Sequence, residues 1–476
     1  MHKIPATNLL HLPIDKCAKI GQTTPFLYMH YERSLYMKII EIVTDIVCNT
    51  LLDPDLLEKA RRRKGAFTRN CGKLPFWTVM KMLMSNVKRS VSSMLDEFFS
   101  KLRMQAGLSA DCTTSCSQQA FSKARSGIDH TLFKECFCRV LDFLCPPESH
   151  EFMKRLGGLW GIQFIAIDGS DIPLPNRYPL LEKYGGTGKG ASSPTARASI
   201  AYDVLNDLVL DAQLESMAVG ERTPAMRHML AIKDLGRVDL LRSMFVFDRG
   251  YASRELICFI ENEIHTRYLF RLREKFSTMI DALPVPDSAD GIVDSTLELY
   301  DGVRVRILRF FLPGGTLETL ATNDFEHDKG VFREFYFHRW PVEEEYKLIK
   351  EKTGLTCFQG YSENSIQQEF WIAMLLTNLA NVIGRETNGL IQYNHPKDSG
   401  LKHSYKTNMN ELMGALSRHL PEYMDAETHA EKYSIIRHII GFLIRRPVVD
   451  KKGTGESHPR KKARNVKNHY NVKRTH

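Results

Sequence analysis

WGIQFIAIDGSDIPLP, residues 160–175, is an apolar run of strand type that ends on Asp168 and breaks at Gly169. SMFVFDRGY (243–251) is a second one, a buried strand ending on Asp248. Between them lie two strand-like pieces, ARASIAYDVL (196–205) and LVLDAQL (208–214), separated by the turn-like Asn206–Asp207. ERTPAMRHMLAI (221–232) reads as a helix that starts near Thr223 with Pro224 at its first position. SRELICFIENEI (253–264) reads as another. Three strands, a helix, a strand and a helix spell a mixed α/β sheet.

The texture changes on either side of this block. In residues 265–331, RYLFRLR (267–273) and VRVRILRFFL (303–312) are short strand-like segments with basic residues interleaved, and DALPVPDSADG (281–291) reads as a loop. A β-rich insertion subdomain is expected there, dividing an α/β core into 151–264 and 332–446. The second part opens with FREFYFHRWPVEEEYKLIKEKTG (332–354), which is charged and amphipathic. QQEFWIAMLLTNLANVIG (367–384) is a strongly apolar helix that belongs to a core rather than a membrane, because it carries Gln, Glu and Asn. Residues 1–150 read as a helical N-terminal domain that binds DNA or serves packing. LPFWTVMKMLMSNVKRSVSSMLDEFFSKL (74–102) has helical spacing, Ser117 can cap the helix of SQQAFSKARSGI, and LFKECFCRVLDFL ends at Pro146. The basic run Arg61, Arg62, Arg63, Lys64, with Lys123 and Arg125, suits phosphates or solvent equally. The last segment, 447–476, is a basic tail. From Lys451 on it carries nine Lys and Arg against one acid, Glu456, a composition that stays disordered when free and can lie on phosphates or simply solubilise.

The composition, 43% hydrophobic and 25% charged in 476 residues, is that of a globular protein of several domains. A net charge of +9 suits a polyanionic partner without identifying one. LLTNLANVIG (375–384) is too short and interrupted to span a membrane. The N-terminus lacks the pattern of a secretory signal, so the expected location is the cytoplasm or nucleoid space of a bacterium. The ten cysteines are scattered, as free thiols would be. Those at Cys112, Cys116, Cys136 and Cys138 lack the matched pairs of a zinc site.

Two apolar runs that each end on an aspartate suggest chemistry. Carboxylates at strand ends project into a crevice at a sheet edge, where they can hold hard divalent cations. Either one could also cap a helix or settle a turn. In YFHRWPVEEEYKLIK (336–350), Tyr336, Arg339, Glu343 and Lys350 follow at steps of three, four and seven, which keeps them on one face of a helix. On spacing alone, that face reads equally as a solvated one with i,i+4 pairs. Pro341 places the start of the helix proper near itself.

With these residues in place, the chain resembles the bacterial insertion-sequence transposases of the DDE class, in the branch marked by Y-x2-R-x3-E-x6-K. Tyr336, Arg339, Glu343 and Lys350 match that signature in full. Asp168 matches the first aspartate in its D-G-S context and Asp248 the second in D-R-G-Y, spaced 80 and 95 residues apart up to Glu343. FTRNCGKLPF (67–76), LETLATN (317–323) and FQGYSENSIQQEF (358–370) are similar in kind, so the resemblance runs from about residue 67 to 445.

The resemblance implies an RNase H-like catalytic core interrupted by a β-rich insertion. It implies a metal triad of Asp168, Asp248 and Glu343 holding two Mg2+ ions, or Mn2+ in their place, about 3.5–4 Å apart. It also implies binding to the terminal inverted repeats and target in double-stranded DNA, self-association in a synaptic complex, and strand cleavage followed by strand transfer through a hairpin intermediate. Arg339 and Lys350 then hold phosphates near the scissile bond. Tyr336 bonds a phosphate or packs the helix base, and Trp340 stacks on an extruded base or joins the core. Arg249 pairs with a carboxylate or a phosphate. Arg304 and Arg306 alternate correctly for a phosphate-binding strand face, and Arg309 does not. Asp171 and Asp203 are extra acids outside the pattern, and Asp211 reads as a surface or turn acid. YGGTGKG (184–190) lacks the spacing of a phosphate-binding loop and reads as a flexible loop. Two other functions stay open: a metal nuclease that cuts without joining, and a catalytically silent DNA-binding relative.

Overall fold

The computed structural model describes residues 25–67, 74–85, 90–105, 115–145, 161–187, 193–300, 302–395 and 403–450. The opening stretch forms the central strand β1 (Gln163–Pro173), whose Phe164–Ile167 are buried. Antiparallel β2 (Thr195–Asp203) lies on one side and parallel β4 (Ser243–Phe247) on the other. β3 (Leu208–Ser216) pairs antiparallel with β2, and β5 (Arg267–Arg271) pairs parallel with β4. These five strands run in the order β3-β2-β1-β4-β5, a mixed sheet. The turn at Asn206–Asp207 forms as expected, with Asp207 at φ 53° accepting a hydrogen bond from the Tyr202 hydroxyl at 2.9 Å.

The strand does not break at Gly169. β1 stays paired with β2 as far as Pro173, whereas its pairing with β4 stops at Ala166. Asp168 therefore lies just beyond the point where β1 loses its parallel neighbour, and Asp248 follows the last residue of β4. Both sit at the carboxyl ends of adjacent parallel strands, where such sheets open a crevice.

The expected insertion boundary also moves. RYLFRLR holds β5, a strand of the core, and β6 (Ile292–Leu299), β7 (Val303–Phe311) and β8 (Leu317–Thr322) continue the same eight-stranded sheet in the order β5-β8-β7-β6. An unpaired outer edge of β5 would expose a row of backbone donors and acceptors, and β8 covers it antiparallel. Composition separated segments that hydrogen bonding joins.

Helices Pro25–Leu51, Pro54–Ala60, Phe76–Met84, Val91–Gln105, Gln118–Arg125 and Thr131–Leu144 make up the N-terminal region. Ser117 caps its helix through Ala120 N–H, as its position before SQQAF suggests. The apolar stretch lies in the long helix Glu363–Asn394, opened by a capping box of Ser362 and Ser365. A helix apolar all round must be buried, and this one is tied to the sheet through Asn378. Asn378 accepts from Val209 N–H at 2.8 Å and donates to Val209 C=O at 2.9 Å on β3. No helix among the described residues is long and apolar enough to cross a membrane.

The same helix anchors the N-terminal region. Arg125, read above as suited to phosphates or solvent, is 3% exposed. Its guanidinium bonds Gln368 Oε1 (3.0 Å), Glu369 Oε1 (2.8 Å) and Ser365 C=O (3.1 Å). Sequence spacing could not show that the end of one helix meets the start of another some 240 residues on.

Candidate active site

Tyr336, Arg339, Glu343 and Lys350 do not share one helix. Tyr336 lies on a short helix, Phe332–Phe337, and Arg339 is the N-cap of the next, Trp340–Lys352. Pro341 in the first turn breaks the run, since it cannot donate to the preceding turn. The bend brings both pieces over the sheet. Glu343 falls in the first turn of the second helix, where the helix dipole favours a carboxylate.

The three carboxylates meet electrostatically. Burial pushes the Asp168 carboxyl up to about 6; the Gly169 amide and Arg339 oppose this, and the like charges of Glu343 and Asp248 add to it. Gly169 N–H donates to Asp168 Oδ1 at 2.9 Å. Asp248 Oδ1 lies 3.4 Å from the Tyr336 hydroxyl and 4.0 Å from Arg271 Nη1. Arg339, 7% exposed, holds Glu343 at 2.6 Å and lies over the Tyr336 ring, and its Nε finds no partner among the described residues. Burial holds the Lys350 ammonium below its ordinary value, against the pull of Asp171 and Asp168. The arrangement is a cluster of acids with cations interleaved. A groove of about 920 Å³, lined in part by Arg271, Arg333, Tyr336, Phe337 and Arg339, opens beside it.

The raised Asp168 carboxyl has a pH consequence. The folded state holds this proton up to about pH 6 and the unfolded state only to about 4, so this contribution to stability is present at low pH and lost as pH rises through 6. Measured by denaturation in EDTA, Asp168→Asn should gain stability relative to the wild type between pH 5 and 7.5, by on the order of 1–3 kcal/mol. A difference that stays flat with pH would contradict this electrostatic account.

Residues 159–379 match the family model described as Transposase DDE domain. The chain carries a DDE transposase domain. No curated protein matches the chain. Among solved structures, a cryo-EM structure of the piggyBac transposase synaptic complex with hairpin DNA is similar over 85% of this chain and 84% of that one, at 13% identity and a TM-score of 0.43. A likeness at that level does not indicate what this chain binds.

Several other residues expected at the site lie elsewhere. Arg306 is 8% exposed, with Nε and Nη2 on Asp294 (3.0 and 2.6 Å) and Nη1 on the carbonyls of Asp324 and His327, so it is spent inside the protein rather than free for phosphate. Alternation puts Arg304 and Arg306 on one face of β7, but only Arg306 is buried there. Arg304 on β7 is exposed over the Phe325 ring. Arg249 is exposed and makes no ion pair among the described residues. In the basic run, Arg61 pairs with Glu58, Arg62 with Asp129 and Arg63 with Ser126 Oγ, while Lys64 is exposed. Asp211 is no surface acid, because it accepts from the buried His228 at 2.6 Å. Asp203 is fully buried, bonding Gln163 and the β2–β3 turn, and Asp171 pairs with Arg197 at 3.6 Å. The described cysteines are free thiols. The Trp340 side chain, most of the GTGKG loop and the tail from Lys451 lie outside the described residues.

Arg271 is the residue that sequence reasoning missed. The parallel register Phe247↔Phe270 sets it beside Asp248, and Glu318 holds it at 2.7 Å. The interleaved arginines of RYLFRLR were a signal, but only register selects which of them reaches the site.

Proposed function

We propose that the protein is a metal-dependent DDE transposase that binds transposon terminal inverted repeats, cleaves the DNA strands at the ends and joins the exposed 3′-hydroxyl to target DNA, with a hairpin intermediate in a synaptic pair. What supports this most is the gathering of Asp168, Asp248 and Glu343 around one electrostatic centre inside a transposase DDE domain.

The donor set fits a hard cation. Three carboxylates are the oxygen ligands that Mg2+ and Mn2+ take, and a bound dication would offset what raises the Asp168 carboxyl, burial first and the charges of Glu343 and Asp248 after it. Bound there, the metal would activate water or a 3′-hydroxyl and stabilise the departing oxygen. Asp168, Asp248 and Glu343 would hold it. Arg339 now occupies Glu343, and a guanidinium takes a phosphate in the same bidentate way as a carboxylate. DNA entering the site would draw Arg339 onto a phosphate and release Glu343. Lys350 adds a point charge, and the groove beside Asp248, with Arg271, Arg333 and the exposed Phe337, offers cations and an aromatic face to a strand.

The other readings are a metal nuclease that cuts without joining and a catalytically silent DNA-binding relative, and the silent one predicts a broken carboxylate set, whereas Asp168, Asp248 and Glu343 are all present. A precut end incubated with target DNA in Mg2+ separates the readings. A joined product that disappears with EDTA is the expected result. Cleavage without joining would leave a nuclease, and end binding with neither reaction would leave the silent relative.

A further inference from the structure

Tyr346 lies one turn beyond Glu343 on the same helix, yet its hydroxyl reaches into the sheet. The side chain is 5% exposed, and Oη stands 2.8 Å from the main-chain carbonyl of Asp168 and 3.0 Å from that of Ala198. The amide of Ile200, paired with Asp168 across the β1–β2 ladder, faces the same oxygen. A hydroxyl carried by the Glu343 helix thus sits on the rung that carries Asp168. A second hydroxyl meets the same carbonyl: Ser199 Oγ at 3.3 Å. Ser199 is backed in turn by His228 Nε2 at 2.9 Å, whose Nδ1 meets Asp211. A carbonyl has two lone pairs, and here elements from both sides of β1 compete to hold one.

We infer that Tyr346 is a positioning residue that sets the spacing between the Asp168 and Glu343 carboxylates. This rests on the catalytic reading above. Of the other inward residues of the helix, Val342 and Ile349 are fully buried and apolar, and Glu345 accepts from the Tyr202 hydroxyl on β2 and from Asn381 of the long helix, so Tyr346 alone on this helix bonds the rung of Asp168 itself. Apolar contact has no direction, so it presses the helix onto the sheet without fixing its position along the strand. A hydrogen bond has length and angle. The hydroxyl pins the helix at one rung, three residues and about 4.5 Å along the axis from Glu343, and a displacement of about 1 Å at reacting groups can cost 100-fold in rate.

The test is Tyr346→Phe in the full chain, with Val342→Ala as a packing control on the same helix. By hydrogen–deuterium exchange, Tyr346→Phe should speed exchange at least tenfold in peptides spanning 163–173 and 195–203, with other strands unchanged. It should raise the Mn2+ concentration for half-maximal end cleavage at least fivefold and lower the saturated rate 10- to 100-fold, with end-DNA affinity within twofold. Val342→Ala should leave the Mn2+ dependence unchanged. Wild-type exchange at that rung, or identical behaviour of the two variants, overturns the inference. If the wild type itself cleaves no DNA, the catalytic reading falls, and the exchange result still decides whether Tyr346 pins the rung.

Discussion

Glu343→Gln is expected to abolish end cleavage, by on the order of 1,000-fold or more, while end binding stays within a few-fold of the wild type. Gln has the shape of Glu without the charge, so it removes a hard anionic ligand and little else. Its carbonyl oxygen can still accept from Arg339, which now holds Glu343 at 2.6 Å, so the fold should change little in stability. Single-turnover cleavage of an end-containing duplex in Mg2+, beside a gel-shift measurement of binding, checks both halves. Wild-type cleavage by this variant would remove Glu343 from the chemistry and with it the proposed triad.

The second large effect is on stability. Arg125→Met should cost about 3–5 kcal/mol, because it breaks a buried ion pair from one side only. Glu369 would keep the Gln359 and Gly360 amides at 2.8 Å each but lose its cation, and Gln368 Oε1 and Ser365 C=O would lose a donor. The seam between the N-terminal helices and the long helix should loosen first. A lowered denaturation midpoint, with proteolysis appearing near residues 118–131 before the sheet is cut, is the expected pattern. An unchanged midpoint would show that Gln368 and Asn364, which bond Ile128 C=O at 2.7 and 2.8 Å, hold the seam unaided.

Much of the fold was legible because strands and helices carry their burial in their periodicity. The apolar run ending at Asp168, the Asn206–Asp207 turn, the Ser117 cap and the core character of the Glu363–Asn394 helix are local properties, set within a few residues by backbone geometry and side-chain polarity. The mixed α/β class and the helical N-terminal region follow from their order. Where pairing decides, sequence reading failed. The 265–331 segment looked separate because basic residues interrupt it, yet β5 is a core strand and β6–β8 extend the same sheet.

The two aspartates and the glutamate proposed as the triad come from local, specific motifs. That they act on one another's charge is a property of the folded chain alone. So is the division of the basic residues. Arg306 and Arg125 are chemically the same as exposed arginines, and only long-range neighbours, Asp294 for one and Glu369 for the other, turn them into interior pairs. Arg271 reaches Asp248 through a strand register, and Tyr346 reaches the Asp168 carbonyl through the docking of a helix on a sheet. Local sequence determined what each segment is and which residues carry charge or chemistry. Tertiary structure decided which of them meet, because contacts between residues far apart in the chain depend on pairing, register and packing angle, and none of these is written in a single stretch.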